Sequence, residues 1–137
     1  MNTDIINIVA NFLKKRTIEL AGLILISCAV LLSISFISYS PNDPSLVYGS
    51  EDTQISNLLG LYGGLISDFL LQGFGLASFL PIIIIISWGL NLIVKKTLEK
   101  ILIKILFLFL CVIFTSTLIH ITFNNSFWLI DNGNSGF

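Results

Sequence analysis

Charge is what this sequence has least of. Of its 137 residues only 11% are charged, seven basic and eight acidic, against 55% hydrophobic. A soluble globular domain carries about a quarter charged residues. Water therefore cannot be the solvent for most of this surface, and a lipid bilayer must be. Histidine is limited to His120, and cysteine to Cys28 and Cys111, both inside apolar runs. No cluster has metal-ligand spacing, so the cysteines read as small packing residues and no cofactor is expected. His120, near the end of an apolar run, reads as an interfacial hydrogen-bonding residue rather than a ligand or base. The sequence has no G-x-x-x-x-G-K-[ST] phosphate loop and no convincing Ser/His/Asp set, which argues against an enzyme. A basic surface able to grip nucleic acid is also missing.

What is present is hydrophobic length. We expect an all-α, polytopic membrane protein with three transmembrane helices plus an interfacial helix before the second. Residues 1–17 form an amphipathic segment in which Ile5, Ile6, Val9 and Phe12 recur at helical spacing. Residues 18–38 form the first span; its apolar run exceeds the roughly 7–15 residues of a signal peptide. Residues 39–57 form an outer loop opened by Pro41 and Pro44, which cannot continue a helix. Asp43 and its neighbours supply turn hydrogen bonds there.

The next apolar block, Leu58 to Val94, would be about 55 Å long as one helix, too long for one crossing. It divides at Gly73-Phe74-Gly75. Residues 58–75 become the interfacial helix with its glycine hinge, and 76–94 the second span, with Pro81 near its start. Residues 95–104 form a basic loop and 105–122 the third span, with Lys104 snorkelling at its inner end. Residues 123–137 are an outer tail.

The charges orient this arrangement. Lys14, Lys15 and Arg16 precede the first span, and Lys95, Lys96, Lys100 and Lys104 lie between the second and third. The other two flanks carry no lysine or arginine. The positive-inside rule then places the N-terminus and the basic loop in the cytoplasm.

Few residues suggest more than span formation. Asp68 interrupts the apolar residues of the interfacial helix. Its ordinary reading is a carboxylate facing water; the sharper one is a buried contact fixing this helix against a span. Gly60 and Gly64, like Ala29 and Ser33, form small-xxx-small pairs suited to helix packing or oligomerisation. Polar residues at mid-depth are limited to Ser87 and Trp88 in the second span and Thr115 to Thr117 in the third, which argues against a conduction route through one copy.

Several segments together resemble a known family. The loop Ser38-Tyr39-Ser40-Pro41-Asn42-Asp43-Pro44-Ser45 is similar to the S-[YF]-[SN]-P-x-D-P-S loop after the first span of FtsK-type DNA translocases. GLYGGLISD, Gly60 to Asp68, resembles that family's G-x-x-G-A-x-x-A-D helix, with Gly60, Gly63, Gly64 and Asp68 matching best. FLLQGFGLASFLP, Phe69 to Pro81, is similar to the continuation into its second span.

The resemblance implies the four-helix anchor, in the bacterial inner membrane at the division septum, of a hexameric ATP-driven motor that moves double-stranded DNA during chromosome segregation. The outer loop and tail are then periplasmic. The implied partners are the bilayer, further copies of the chain in a hexamer, and membrane division proteins, with no direct nucleic-acid contact from this segment. A cytoplasmic motor needs an even number of crossings, so three spans read as an anchor truncated before its fourth. No motor residue can be carried onto this chain. Two other readings remain open on the residues alone: a small pore-forming, holin-like protein, and an accessory subunit of a membrane complex.

Overall fold

The structure, a computed structural model, describes residues 2–44, 55–95 and 100–123. Among the described residues all regular structure is helical. Part of the outer loop, including Glu51 and Asp52, lies outside the described residues, as do Lys96 and Glu99 of the basic loop and residues 124–137 of the tail.

Helix α1 runs from Asn2 to Ile37. Proline is absent from this stretch and Gly22 is its one glycine, so nothing interrupts the backbone ladder. The hydroxyls of Thr17, Ser27 and Ser33 donate to the carbonyls of Leu13, Leu23 and Ala29, four residues back, at 2.8–3.0 Å. Each polar side chain is thereby satisfied within its own helix. No break separates the expected surface segment 1–17 from the span 18–38. At 36 residues the helix is about 54 Å long, well beyond a hydrocarbon core of about 30 Å. Lys14, Lys15 and Arg16 thus ride on the same rod as the span.

Helix α2 covers Gly60–Phe74, and α3 covers Phe79–Lys95. A four-residue 3-10 turn, Gly75–Ser78, joins them. The interruption falls at Gly75, whose φ of +57° favours glycine. Gly73, the other expected hinge glycine, is ordinary helix inside α2 with open space around it. Ser78 Oγ donates to the Leu70 carbonyl at 2.5 Å, and the Gly75 N–H donates to the Leu71 carbonyl. The Gly75 bond serves a carbonyl of the last turn of α2, where helix partners run out, and the Ser78 bond ties the 3-10 turn back onto the helix. Pro81 occupies the first turn of α3, where a missing N–H costs least.

The core lies between α1 and α3. Ile18, Gly22, Ala29 and Phe36 are buried along one stripe of α1, at steps of four and seven residues. Ile82, Gly89 and Leu92 form the buried stripe of α3. The helices run antiparallel: Gly22 meets Gly89, and Phe36 meets Phe79 edge-to-face with ring centroids 5.2 Å apart. Ala29, Phe36, Leu71 and Ile82 form the buried cluster, which ties α2 to both helices.

Closest approach is at the two glycines. A Cβ on Gly22 would stand 2.7 Å from the Gly89 carbonyl oxygen, and one on Gly89 would stand 2.8 Å from that of Gly22. Only glycine lets the backbones touch there.

Helix α4, Ile101–Thr122, is 22 residues long, about 33 Å. It starts one turn before the expected span, at Lys100 in the left-handed region (φ 49°), so Lys104 sits in its first turn. Val112 is its one buried residue, and its surface is mostly apolar, with Lys104 near its start and Thr117, His120 and Thr122 toward its end.

Because the Gly22–Gly89 contact is backbone against backbone, Gly22→Leu should destabilise the fold by about 1–3 kcal/mol or more. Gly73→Ala, where the space is open, should be neutral or slightly stabilising. Unfolding of the detergent-solubilised chain by titrated dodecyl sulfate would separate the two; equal midpoints would contradict the seam.

Candidate functional site

The polar residues of this chain gather where α1 ends. Pro41 follows the helix, and a turn closed by the Asp43 N–H donating to the Ser40 carbonyl at 3.1 Å brings the Asp43 carboxylate inward. That carboxylate is buried, whereas Pro41 is exposed and Pro44 half-buried. Asp43 Oδ1 accepts the Ser56 N–H at 2.8 Å, and Oδ2 accepts the Asn57 N–H at 2.9 Å. The two ends of the loop are thus fastened to each other by charge-assisted bonds.

Asn57 carries the next link. Its Nδ2 donates to the Ser35 carbonyl at 2.9 Å and to the Ser38 carbonyl at 3.4 Å, both exposed by the end of α1. Its Oδ1 accepts the Leu59 N–H at 3.0 Å, and its main-chain carbonyl accepts the Gly60 N–H at 2.9 Å. The Ser38 hydroxyl accepts the Leu58 N–H at 3.1 Å and donates to the Ile34 carbonyl at 2.7 Å. One helix end and one helix start therefore satisfy each other.

Along α2 the polar and small residues face inward. Ser35 Oγ donates to the Gly63 carbonyl at 2.6 Å, and Ser67 Oγ donates to the carbonyls of Gly63 and Gly64 at 2.9 Å. A side chain on Gly63 would collide with Asn57 Oδ1 and the Leu59 Cβ. Gly64 packs beside Asp43 and Asn57. The face expected to meet another helix through Gly60 and Gly64 is thus covered by this chain's own loop. Gly60 itself has open space and a φ of +67°, so its role is to turn the backbone into α2.

Asp68 does not face water. It is 6% exposed. Its Oδ1 accepts the Tyr39 hydroxyl at 3.1 Å and the Gln72 amide Nε2 at 2.7 Å. The ordinary reading of this carboxylate is therefore corrected: the inward face of α2 is the polar one. Tyr62, Ile66 and Phe69 cover the outward face and are exposed, as is Leu58 in the turn before the helix. A surface helix in water has the opposite arrangement.

The structure thus brings together Asp43, Gly64 and Asp68, and sets Gly73 and Gly75 one to two turns away at the break before α3. Lys14, Lys15, Arg16, Lys95, Lys100 and Lys104 lie away from this cluster, and Lys96 is outside the described residues. Sequence reasoning missed Ser35, Asn57, Ser67 and Gln72, and the pairing of Gly22 with Gly89. A signal for α2 existed: Gly60, Gly63, Gly64, Ser67, Asp68 and Leu71 recur at three- and four-residue steps, which marks one face. No described group of three His, Cys, Asp or Glu side chains could hold a metal. With every buried side-chain polar atom of the described residues partnered, the arrangement is a clamp.

Comparison with known proteins agrees with the membrane reading. Residues 14–137 match the family described as the 4TM region of DNA translocase FtsK/SpoIIIE. The DNA translocase FtsK of Azospirillum brasilense is 33% identical over 89 residues, which is 64% of this chain and 14% of that protein. That of Rickettsia typhi is 38% identical over 87 residues, 63% of this chain and 11% of that protein. The Bradyrhizobium diazoefficiens protein is 25% identical over 124 residues, 90% of this chain and 15% of its own length. The chain therefore spans a small fraction of the curated relatives it matches, and the family it matches is their membrane region rather than their motor. No solved structure matches it.

Removing the Asp43 carboxylate leaves one buried and one part-buried N–H group without an acceptor. Asp43→Ala should cost about 1.5–3 kcal/mol and speed amide exchange at Ser56 and Asn57. Tyr39→Phe should cost less, since Gln72 still reaches Asp68. Unchanged exchange at Ser56 and Asn57 in Asp43→Ala would rule out the clamp.

Proposed function

Since the chain belongs to the FtsK/SpoIIIE four-transmembrane family, we propose that it is the membrane anchor and septum-targeting module of a bacterial DNA translocase. In this reading it sits in the inner membrane with its N-terminus in the cytoplasm, and keeps a DNA motor at the place where the closing septum and the chromosome meet. The DNA-moving activity belongs to the motor part of such proteins. This segment contributes insertion, position and contacts with other membrane division proteins, and it assembles with further copies of itself.

The observation that carries the anchor reading is the separation of charge along the bundle. α1 and α3 are antiparallel with Gly22 beside Gly89, Leu92 and Ile93, so Arg16 and Lys95 lie toward one end. Lys100 and Lys104 begin α4 just after α3. The opposite end holds Asp43 and Asp68 and no described lysine or arginine. Basic residues at one end and none described at the other, separated by apolar helices, supply the Lys/Arg asymmetry that biases orientation during insertion. Asp68, satisfied by Tyr39 and Gln72, brings a carboxylate into the membrane domain with its hydrogen bonds already made, as buried ionisable groups in membranes require.

Two measurements test this. A reporter active only outside the cytoplasm should work when fused after Phe123 and fail after Lys95; the reverse pattern would sink the orientation. A fluorescent fusion to the whole chain should concentrate at division septa over the lateral membrane. Even labelling of the membrane in dividing cells would reject septum targeting while leaving the anchor intact.

A further inference from the structure

Two open grooves run along the bundle at the end that carries the basic residues. One, of about 490 Å³, lies between α1 and α3 and is lined by Arg16, Glu19, Leu20, Leu23 and Ile93. Its cation is already matched. Arg16 Nη1 donates to Glu19 Oε2 at 2.5 Å, and the guanidinium sits 5.3 Å from the centroid of the Phe12 ring.

The other groove, of about 380 Å³, lies between α3 and α4 and is lined by Ile84, Trp88, Lys104, Phe107, Leu108 and Cys111. It differs in one respect that matters. Lys104 is the sole charged residue of its lining, and the acids of known placement are engaged elsewhere. Glu19 pairs with Arg16, while Asp43 and Asp68 are buried in hydrogen bonds at the far end of the bundle.

We propose that the α3–α4 groove is a binding site for an anionic phospholipid. An acyl chain lies against Ile84, Phe107, Leu108 and Cys111, and the lipid phosphate rests on Lys104 Nζ. The volume falls within the range of about 300–1,000 Å³ usual for small-ligand sites. Lys104 and Cys111 are seven residues apart on one helix, about 10 Å. The apolar trough thus runs from the ammonium roughly a third of the way through the hydrocarbon core.

The groove is open along its side, so its natural occupant is a chain that arrives from the bilayer. The aliphatic stem of Lys104 lies along the apolar wall while its head reaches the headgroup level. Trp88, apolar in body with one N–H, suits the same boundary. Lys100 stands one turn earlier, its carbonyl accepting the Lys104 N–H at 3.1 Å, and adds a second ammonium at the same end of α4. A zwitterionic headgroup brings its own cation to this place, whereas a phosphoglycerol headgroup brings none, so the site favours net negative charge. The proposal rests on the helices being embedded in lipid, but not on their orientation across the membrane.

Trp88 lines the groove and can report on its occupant. The chain has two tryptophans, so Trp128→Phe leaves Trp88 as the reporter. The whole chain with this change is reconstituted in mixed vesicles of phosphatidylglycerol and phosphatidylcholine, with either lipid brominated in turn to quench the indole. The expected result is a preference for brominated phosphatidylglycerol of about fivefold, falling to near parity in Lys104→Gln. Lys104→Arg should retain the preference, as should Lys15→Gln, which alters the basic end without touching the groove. Equal quenching by both lipids, or a preference that survives Lys104→Gln, overturns the site. Absence of quenching by both lipids would overturn the bilayer embedding itself.

Discussion

A chain that leaves its helix inside or beside a bilayer must find partners for every N–H and C=O it frees. Here that condition is met largely by one side chain. Asn57 gives its amide protons to the carbonyls at the end of α1, and its side-chain oxygen accepts the Leu59 N–H on the approach to α2. Its own N–H goes to Asp43. Once Asn57 is placed, Gly63 must lie against it, because no larger residue fits there. Leu71 then reaches the cluster of Ala29, Phe36 and Ile82. The start of α3 is fixed in turn, since Phe79 stacks edge-on against Phe36. The energetic reason is the low dielectric of the surroundings, in which an unmade hydrogen bond costs far more than it would in water.

The long apolar runs made the helical architecture legible in the sequence, and composition alone made the membrane legible. The resemblance carried by SYSPNDPS and GLYGGLISD made the family legible. What the sequence concealed was pairing. The seam at Gly22 and Gly89 joins residues 67 positions apart, and neither glycine stands out in its own run. Nothing local distinguishes a glycine that touches a backbone from one, like Gly73, that touches nothing. Asp68 misled for a related reason. A lone carboxylate on a short helix suggests water when its neighbours in sequence are considered, but its partner Tyr39 comes from the exit of another helix. The extent of α1 was concealed differently, since three consecutive basic residues suggest a boundary although lysine and arginine are good helix formers.

These features divide the domain into parts with different tasks. The α1–α3 seam, closed by glycine contact and aromatic packing, is the rigid unit. The clamp of Asp43, Asn57 and Ser38 finishes that unit at one end and holds α2 against it. α4 is different: one buried residue and a mostly apolar surface elsewhere leave lipid as its solvent. A membrane domain built this way has a tightly packed pair of helices and a less buried one beside it.

The inward-facing polar stripe of α2 also bears on how the chain is made. A ribosome delivers residues in order, and the partners that α2 requires are already in place before it emerges. Ser35, Ser38, Tyr39 and Asp43 all precede it. Had the order been reversed, a glycine-rich helix bearing a carboxylate would have entered the insertion machinery with nothing to receive its polar side. In the order used, Ser35 and Tyr39, the partners of Gly63 and Asp68, precede them, and the α1–α3 packing waits for a later helix to arrive.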